Sequence, residues 1–252
     1  MYLLYAVLLL AFVSASFSET CEPGEGLRQS PINIITKNAL RYLGEPLSWS
    51  EGYKKVPSSM TLENDGSTLK LTVKSTLPLI LNTHLWPPYR FAKIHFHWGT
   101  GPSNTIGTEH KIDGQSYALE MHAVHEAIDE DVPDKYLVVA YLFKVSEFRF
   151  SALDPIADAA ITAAISSDQV APFELKKLLF EEPFSYYTYR GSLTTPPYSP
   201  NVRFIVSQTI LPISIDQLAL FRIAAEENSL LSGNYRCLQP LNNRTVLYVS
   251  RW

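Results

Sequence analysis

The strongest constraint on this chain is a set of short period-two runs that recur along most of its length. Residues 68–73 set Leu69, Leu71 and Val73 against Thr68, Lys70 and Thr72. Such alternation marks a strand with one buried face. Comparable runs lie at Phe91 to Trp98, Tyr117 to His125, Leu137 to Val145, Val202 to Gln208 and Thr245 to Val249. Pro and Gly clusters such as Trp86-Pro87-Pro88 and Gly99-Thr100-Gly101-Pro102 separate them as turns. The expectation is a mainly β (α+β) chain built on one large sheet with few helices.

Two helices announce themselves by their starts. Asp154 reads as an N-cap with Pro155 at the first helical position, and Ile156, Ala160, Ile161, Ala164 and Ile165 as the buried face. Ser214 with Gln217 three residues on reads as a capping box before Leu218, Leu220, Phe221 and Ile223. No long period recurs and no low-complexity linker intervenes, so residues 19–252 are expected to form one domain.

Tyr2 to Val13 is a nearly unbroken apolar run followed by the small residues Ser14, Ala15, Ser16 and Ser18. It falls short of the roughly 20 residues that span a bilayer, and residues 1–18 read as a signal peptide, with a buried strand or short anchor as the competing reading. The segment from Leu247 to Trp252 carries Arg251 and no apolar tail. The expected product is secreted and extracellular, without a transmembrane or lipid anchor, and monomeric. Export would allow Cys21 and Cys237 either to pair or to remain thiols, and it gives meaning to the sequon Asn243-Arg244-Thr245, with Asn243 as the glycosylation candidate. With 21 Lys+Arg against 25 Asp+Glu there is no basic excess to release counterions, which argues against a nucleic-acid partner.

Of six histidines, five (His95, His97, His110, His122 and His125) fall between residues 95 and 125. On a strand, side chains at i and i+2 share a face, so His95-Phe96-His97 delivers two imidazoles to one side while Ile94, Phe96 and Trp98 pack on the other. Glu120-Met121-His122 repeats the device. If the two strands are neighbours, three imidazoles and a carboxylate meet, and three neutral imidazoles with a vacant position are the ligand set of a catalytic zinc. A lone His-x-His would be ordinary strand chemistry. The third His, the flanking acid and the absence of His-Glu-x-x-His spacing together favour a sheet-borne Zn2+ site. His110 and His125 read as structural, His125 on the opposite strand face.

At this point the chain resembles the α-class carbonic anhydrases, from about Arg28 to Arg244. The segments that carry the resemblance are Gln29-Ser30-Pro31-Ile32-Asn33-Ile34, His95-Phe96-His97-Trp98-Gly99, Glu109-His110, Glu120-Met121-His122-Ala123-Val124-His125, Gly191-Ser192-Leu193-Thr194-Thr195-Pro196-Pro197, Asn234-Tyr235-Arg236 and Gln239-Pro240-Leu241. The resemblance implies a single domain on a large twisted, mostly antiparallel sheet with a few peripheral helices, and reversible hydration of carbon dioxide to bicarbonate and a proton. His95, His97 and His122 would bind zinc. In the family that ligand set lowers the pKa of bound water from about 15.7 to about 7. Thr194, donating to an ionised Glu109, would orient the attacking oxygen. Glu120 would accept from a ligand imidazole. Val124, Val138, Leu193, Val202 and Phe204 would form the apolar pocket, although taken singly each reads as core.

The chain departs from the family in five ways. The segment before Gln29 is short, so the family's usual cover over the cleft rim is missing. Ser67 stands where fast members carry a proton-shuttling histidine, and it cannot titrate near pH 7. Lys93 replaces a glutamine that accepts a hydrogen bond from the first ligand's ring; an ammonium accepts nothing. Lys70 makes the cleft mouth more cationic. Tyr198 occupies the position of the family's second bridging cysteine, so that bridge cannot form. A secreted, low-activity zinc-binding or matrix-organising module on the same fold is the alternative.

Overall fold

The structure is a computed structural model, which describes residues 24, 26–101, 103–179, 185–227 and 233–251. The expected signal segment and Cys21 lie outside the described residues. In chain order the elements begin with strands β1 (Asn33–Ile34), β2 (Leu40–Leu43), β3 (Ser48–Trp49), β4 (Ser59–Asn64) and β5 (Leu69–Lys74). Then come β6 (Ile80–Asn82), β7 (Tyr89–Trp98), β8 (Lys111–Ile112), β9 (Leu119–Ala127) and β10 (Tyr136–Val145). Helix α1 (Asp154–Ile165) precedes β11 (Ser167–Val170), β12 (Tyr186–Gly191), β13 (Val202–Ser207) and β14 (Leu211–Ile213). Helix α2 (Ile215–Glu227) and β15 (Leu247–Ser250) complete the series.

Each expected run forms a strand. The main sheet runs β11-β4-β5-β7-β9-β10-β13-β12-β15-β2, with β14 joining β10, and β6 linking β3 to β7. Along that path only β10 with β13 and β15 with β2 are parallel; the other neighbours are antiparallel. β1 and β8 form a separate parallel pair.

Alternation sorts the core into two layers on opposite sides of the sheet. Ile94, Phe96 and Trp98 belong to the layer that includes the buried faces of both helices, and Phe221 of α2 lies 5.4 Å, ring to ring, from Phe96 and from Trp98. The second layer gathers Ile32, Val124, Val138, Tyr189, Val202 and Phe204. This second face carries His95, His97, His110 and His122.

The capping box at α2 forms as read: Ser214 N–H donates to Gln217 Oε1 at 3.1 Å, and Gln217 N–H to Ser214 Oγ at 3.2 Å. In α1, Asp154 is not the N-cap but the first helical residue, with helical φ and ψ, because the tight turn Ser151–Leu153 runs straight into the helix. Its buried face is Ile156, Ala157, Ala159, Ala160, Ala163 and Ala164. Ile165, expected inside, is 70% exposed, and Ile161 is only half-buried. At about 100° per residue Ile165 points opposite to Ile156, so hydrophobicity alone misplaced it.

Candidate active site

The antiparallel register of β7 and β9 sets His95 opposite His122 and His97 opposite Glu120. The three imidazole centroids are 4.8–5.0 Å apart, and His122 Nδ1 lies 3.2 Å from His95 Nε2. His97 Nδ1 donates to the carbonyl of Asn234 at 2.7 Å, which fixes the tautomer and leaves Nε2 a buried lone pair with no hydrogen-bond partner. Burial, reinforced by the neighbouring imidazoles, holds His95 well below the usual histidine range and His97 at about 3. Both are neutral at physiological pH.

These observations suit a zinc ion. Tetrahedral bonds of 2.0–2.1 Å place ligand nitrogens about 3.3 Å apart, close to the 3.2 Å between His122 and His95, and one nitrogen from each of the three rings falls within 4.8 Å of the others. His97 Nε2, which no protein group satisfies, is the third.

Glu120, fully buried, holds the far side of His122. Its Oε1 accepts from His122 Nε2 at 2.7 Å and from His110 Nδ1 at 2.6 Å, while Oε2 accepts from the His110 backbone N–H at 2.8 Å. Burial would raise its pKa, but electrostatic attraction to the His110 and His122 rings and their hydrogen bonds prevail and keep it well below the carboxylate range. The chain continues through His110 Nε2, which accepts from Tyr189 Oη at 2.6 Å, and Tyr189 accepts in turn from Ser30 Oγ at 2.8 Å. His110 thus locks the carboxylate that orients His122. His125, on the other face, accepts from Tyr53 Oη at 3.0 Å and donates to the Ala123 carbonyl. Both occupy the structural positions expected of them.

Glu109 lies behind the triad, with Oε2 3.4 Å from His97 Nε2 and Oε1 accepting from the Arg236 N–H at 2.9 Å. Burial pushes its pKa up to about 8, against the opposing pull of His122, the Arg236 N–H and the Thr194 side chain. Thr194 is itself 8% exposed and lines the cleft.

The cleft is a cavity of about 520 Å³. Val124, Val138, Leu193 and Phe204 form one wall; His95, His122 and Thr194 lie in it, and Lys70, Thr72 and Lys93 form the polar side. Val202 is a correction: fully buried within the apolar layer, it does not line the cavity. Neither does Ser67, whose hydroxyl donates to Asp65 Oδ1 at 2.9 Å. His84, the histidine outside the cluster, lines a separate depression with Glu45 and Asn82.

The sequence model of the family described as eukaryotic-type carbonic anhydrase matches residues 14–250. The chain belongs to that family. Carbonic anhydrase 3 of Rattus norvegicus is 32% identical over 246 residues, covering 88% of this chain and 89% of that one. Carbonic anhydrase 6 of Canis lupus familiaris is 30% identical over 238 residues, covering 88% and 72%. Alpha carbonic anhydrase 8 of Arabidopsis thaliana is 36% identical over 226 residues, and the match covers 88% of this chain but only 53%, about half, of that protein. Membership brings the general reaction of carbonic anhydrases, hydration of carbon dioxide. The large, mostly antiparallel sheet is the α-carbonic anhydrase fold. Among the described residues no helix is long and apolar enough to cross a membrane.

Three supports of this carbonic anhydrase site had no role assigned from sequence. The Asn234 carbonyl holds His97, the Arg236 N–H holds Glu109, and Tyr189 holds His110. Two of the three are main-chain contacts, which leave no mark on residue type; their one signal was the Asn234-Tyr235-Arg236 segment. Tyr198, at the family's cysteine position, packs its ring 3.8 Å from the Arg236 guanidinium instead. Cys237 is disulfide-bonded, and Cys21, the other cysteine of the sequence, lies outside the described residues.

Proposed function

We propose that the chain is a zinc-dependent carbonic anhydrase in which His95, His97 and His122 hold the metal. The observation that carries this is the convergence of three imidazole nitrogens, one of them buried without any protein partner, at the wall of a half-apolar cleft. Zinc bound there would make a nucleophilic oxygen available at neutral pH by lowering the pKa of a coordinated water to about 7.

The chain's own groups do the remaining work. Glu120, accepting from His122 Nε2, keeps Nδ1 as the lone-pair side of that ring. With the metal bound, Glu109 would be favoured as the carboxylate against the effect of burial, and a carboxylate can only accept. Thr194 then donates to Glu109 and must accept from the nucleophile, which orients it. Val124, Val138, Leu193 and Phe204 offer carbon dioxide an apolar surface beside that point. With Ser67 turned to Asp65, no histidine at that position relays the departing proton, and proton transfer limits turnover.

A second reading, a metal-binding module with little turnover, is favoured by one feature: His95 Nδ1 is buried without an acceptor, and Lys93 cannot supply one. Exchange of oxygen-18 between carbon dioxide and water, followed by mass spectrometry on zinc-loaded protein, separates the two. Catalysed exchange supports the enzyme, and exchange at the uncatalysed rate supports the module. We further propose that residues 1–18 direct export, that residues 19–252 form the secreted monomeric domain, and that Asn243, exposed in a turn, accepts a glycan.

A further inference from the structure

On the polar side of the cleft the register pairs Lys70 with His95, so the next same-face pair toward the mouth is Thr72 with Lys93. All four line the cavity. The two ammonium groups are not equivalent. Lys70 Nζ is held by Glu63 at 2.7 Å. Lys93 Nζ stands 3.7 Å from Asp65 Oδ2, beyond hydrogen-bonding distance. Asp65 is not placed to close that gap, because its Oδ1 is tied to Ser67 N–H at 3.1 Å, Ser67 Oγ at 2.9 Å and Thr68 N–H at 3.1 Å. Burial would raise the Asp65 pKa, but the hydrogen bonds from Ser67 and Thr68 together with the charge of Lys93 keep it a carboxylate below its ordinary range, so its charge is shared between the turn and Lys93.

Val124 is the cross-strand neighbour of Lys93, Val138 and Phe204 continue the same row of the sheet, and with Leu193 they form the apolar side of the cavity. Among the described residues lining the cavity the one carboxylate is Glu126, exposed on β9. A volume of about 520 Å³ far exceeds the needs of a three-atom substrate. An ammonium beyond hydrogen-bonding distance of its ion-pair partner, an apolar side that begins beside it and a cavity of that size suit a ligand with a compact anionic head and an apolar body.

We propose that the cleft binds small amphiphilic carboxylates, with the carboxylate on Lys93 and the hydrocarbon body against the Val124, Val138, Leu193 and Phe204 wall. Lys93 is not one of the three proposed metal ligands, and its ammonium lies by the Asp65 turn, so the anion is held by Lys93 and not by the ligand nitrogens. The site shares the cavity of the proposed reaction but does not require it, and its test reads binding rather than turnover.

Hexanoate and acetate are titrated by calorimetry into zinc-loaded full-length protein, into Lys93→Met, which keeps the chain length and loses the charge, and into Lys93→Arg. Each buried methylene multiplies affinity by about fourfold, so hexanoate binds at least about tenfold more tightly than acetate. Lys93→Met loses about tenfold for hexanoate, and Lys93→Arg retains the affinity. On cobalt-loaded protein, saturating hexanoate leaves the visible metal spectrum unchanged. Equal affinity of the two acids, equal affinity of wild type and Lys93→Met, or a cobalt spectrum that changes in step with binding would each overturn the proposal. A failure here leaves the oxygen-18 result for the reaction intact.

Discussion

Glu120 Oε1 lies 2.7 Å from Nε2 of His122, on the opposite side of the ring from the Nδ1 that approaches His95 to 3.2 Å. One carboxylate therefore decides which nitrogen of His122 keeps a lone pair. Replacing Glu120 with Ala leaves a buried Nε2–H and the His110 donors without their acceptor. Loss of such a partner commonly costs 10–100-fold in metal affinity. Chelator competition should show Glu120→Ala binding zinc at least about tenfold more weakly than wild type; equal affinity would deny Glu120 its orienting role.

The orphaned Nδ1 of His95 makes the reverse prediction. Lys93→Gln places an amide oxygen two residues along the same strand face, where it can accept from that ring. Zinc affinity should rise by up to about tenfold, measured by the same competition. An unchanged or weaker affinity would show that the missing acceptor is not what limits this ligand.

Much of the site was legible because strand geometry is simple. A period of two fixes which of Ile94, His95, Phe96 and His97 share a face, and the register of β7 with β9 delivers Glu120 and His122 to the same point. What stayed hidden depends on segments far apart in sequence. The Asn234 carbonyl reaches His97 from 137 residues away, and a carbonyl is common to every residue. Val202 was misjudged because an inward strand position does not say whether it lines a cavity or lies within the core. Ile165 was misjudged by hydrophobicity where the helical angle decides.

Ser67 carries the proton-transfer prediction. With no group of pKa near 7 at that position, the maximal hydration rate should rise with the concentration of an imidazole-type buffer while second-order capture of carbon dioxide stays nearly constant. A positioned acid or base is typically worth 10²–10⁴-fold in such a step. Ser67→His should raise turnover in dilute buffer by about tenfold or more and flatten the buffer dependence. A wild-type rate that is already independent of buffer would refute proton-transfer limitation.

His125 gives a pH signature of stability away from the metal. Burial lowers its folded-state pKa from 6.5 to about 4. Between those values the unfolded chain takes up a proton that the folded chain refuses, so the stability it contributes is complete above about pH 6.5 and is lost as pH falls toward 4. The loss is on the order of 3 kcal/mol. Denaturant unfolding from pH 7 to 4.5 should show a steeper fall for wild type than for His125→Gln; parallel curves would contradict the assignment.

The most direct test of the central claim is stopped-flow hydration of carbon dioxide by the full chain, with zinc content fixed by elemental analysis on the same sample. One zinc per chain and a rate well above the uncatalysed reaction are expected. Full zinc occupancy with no acceleration would contradict it.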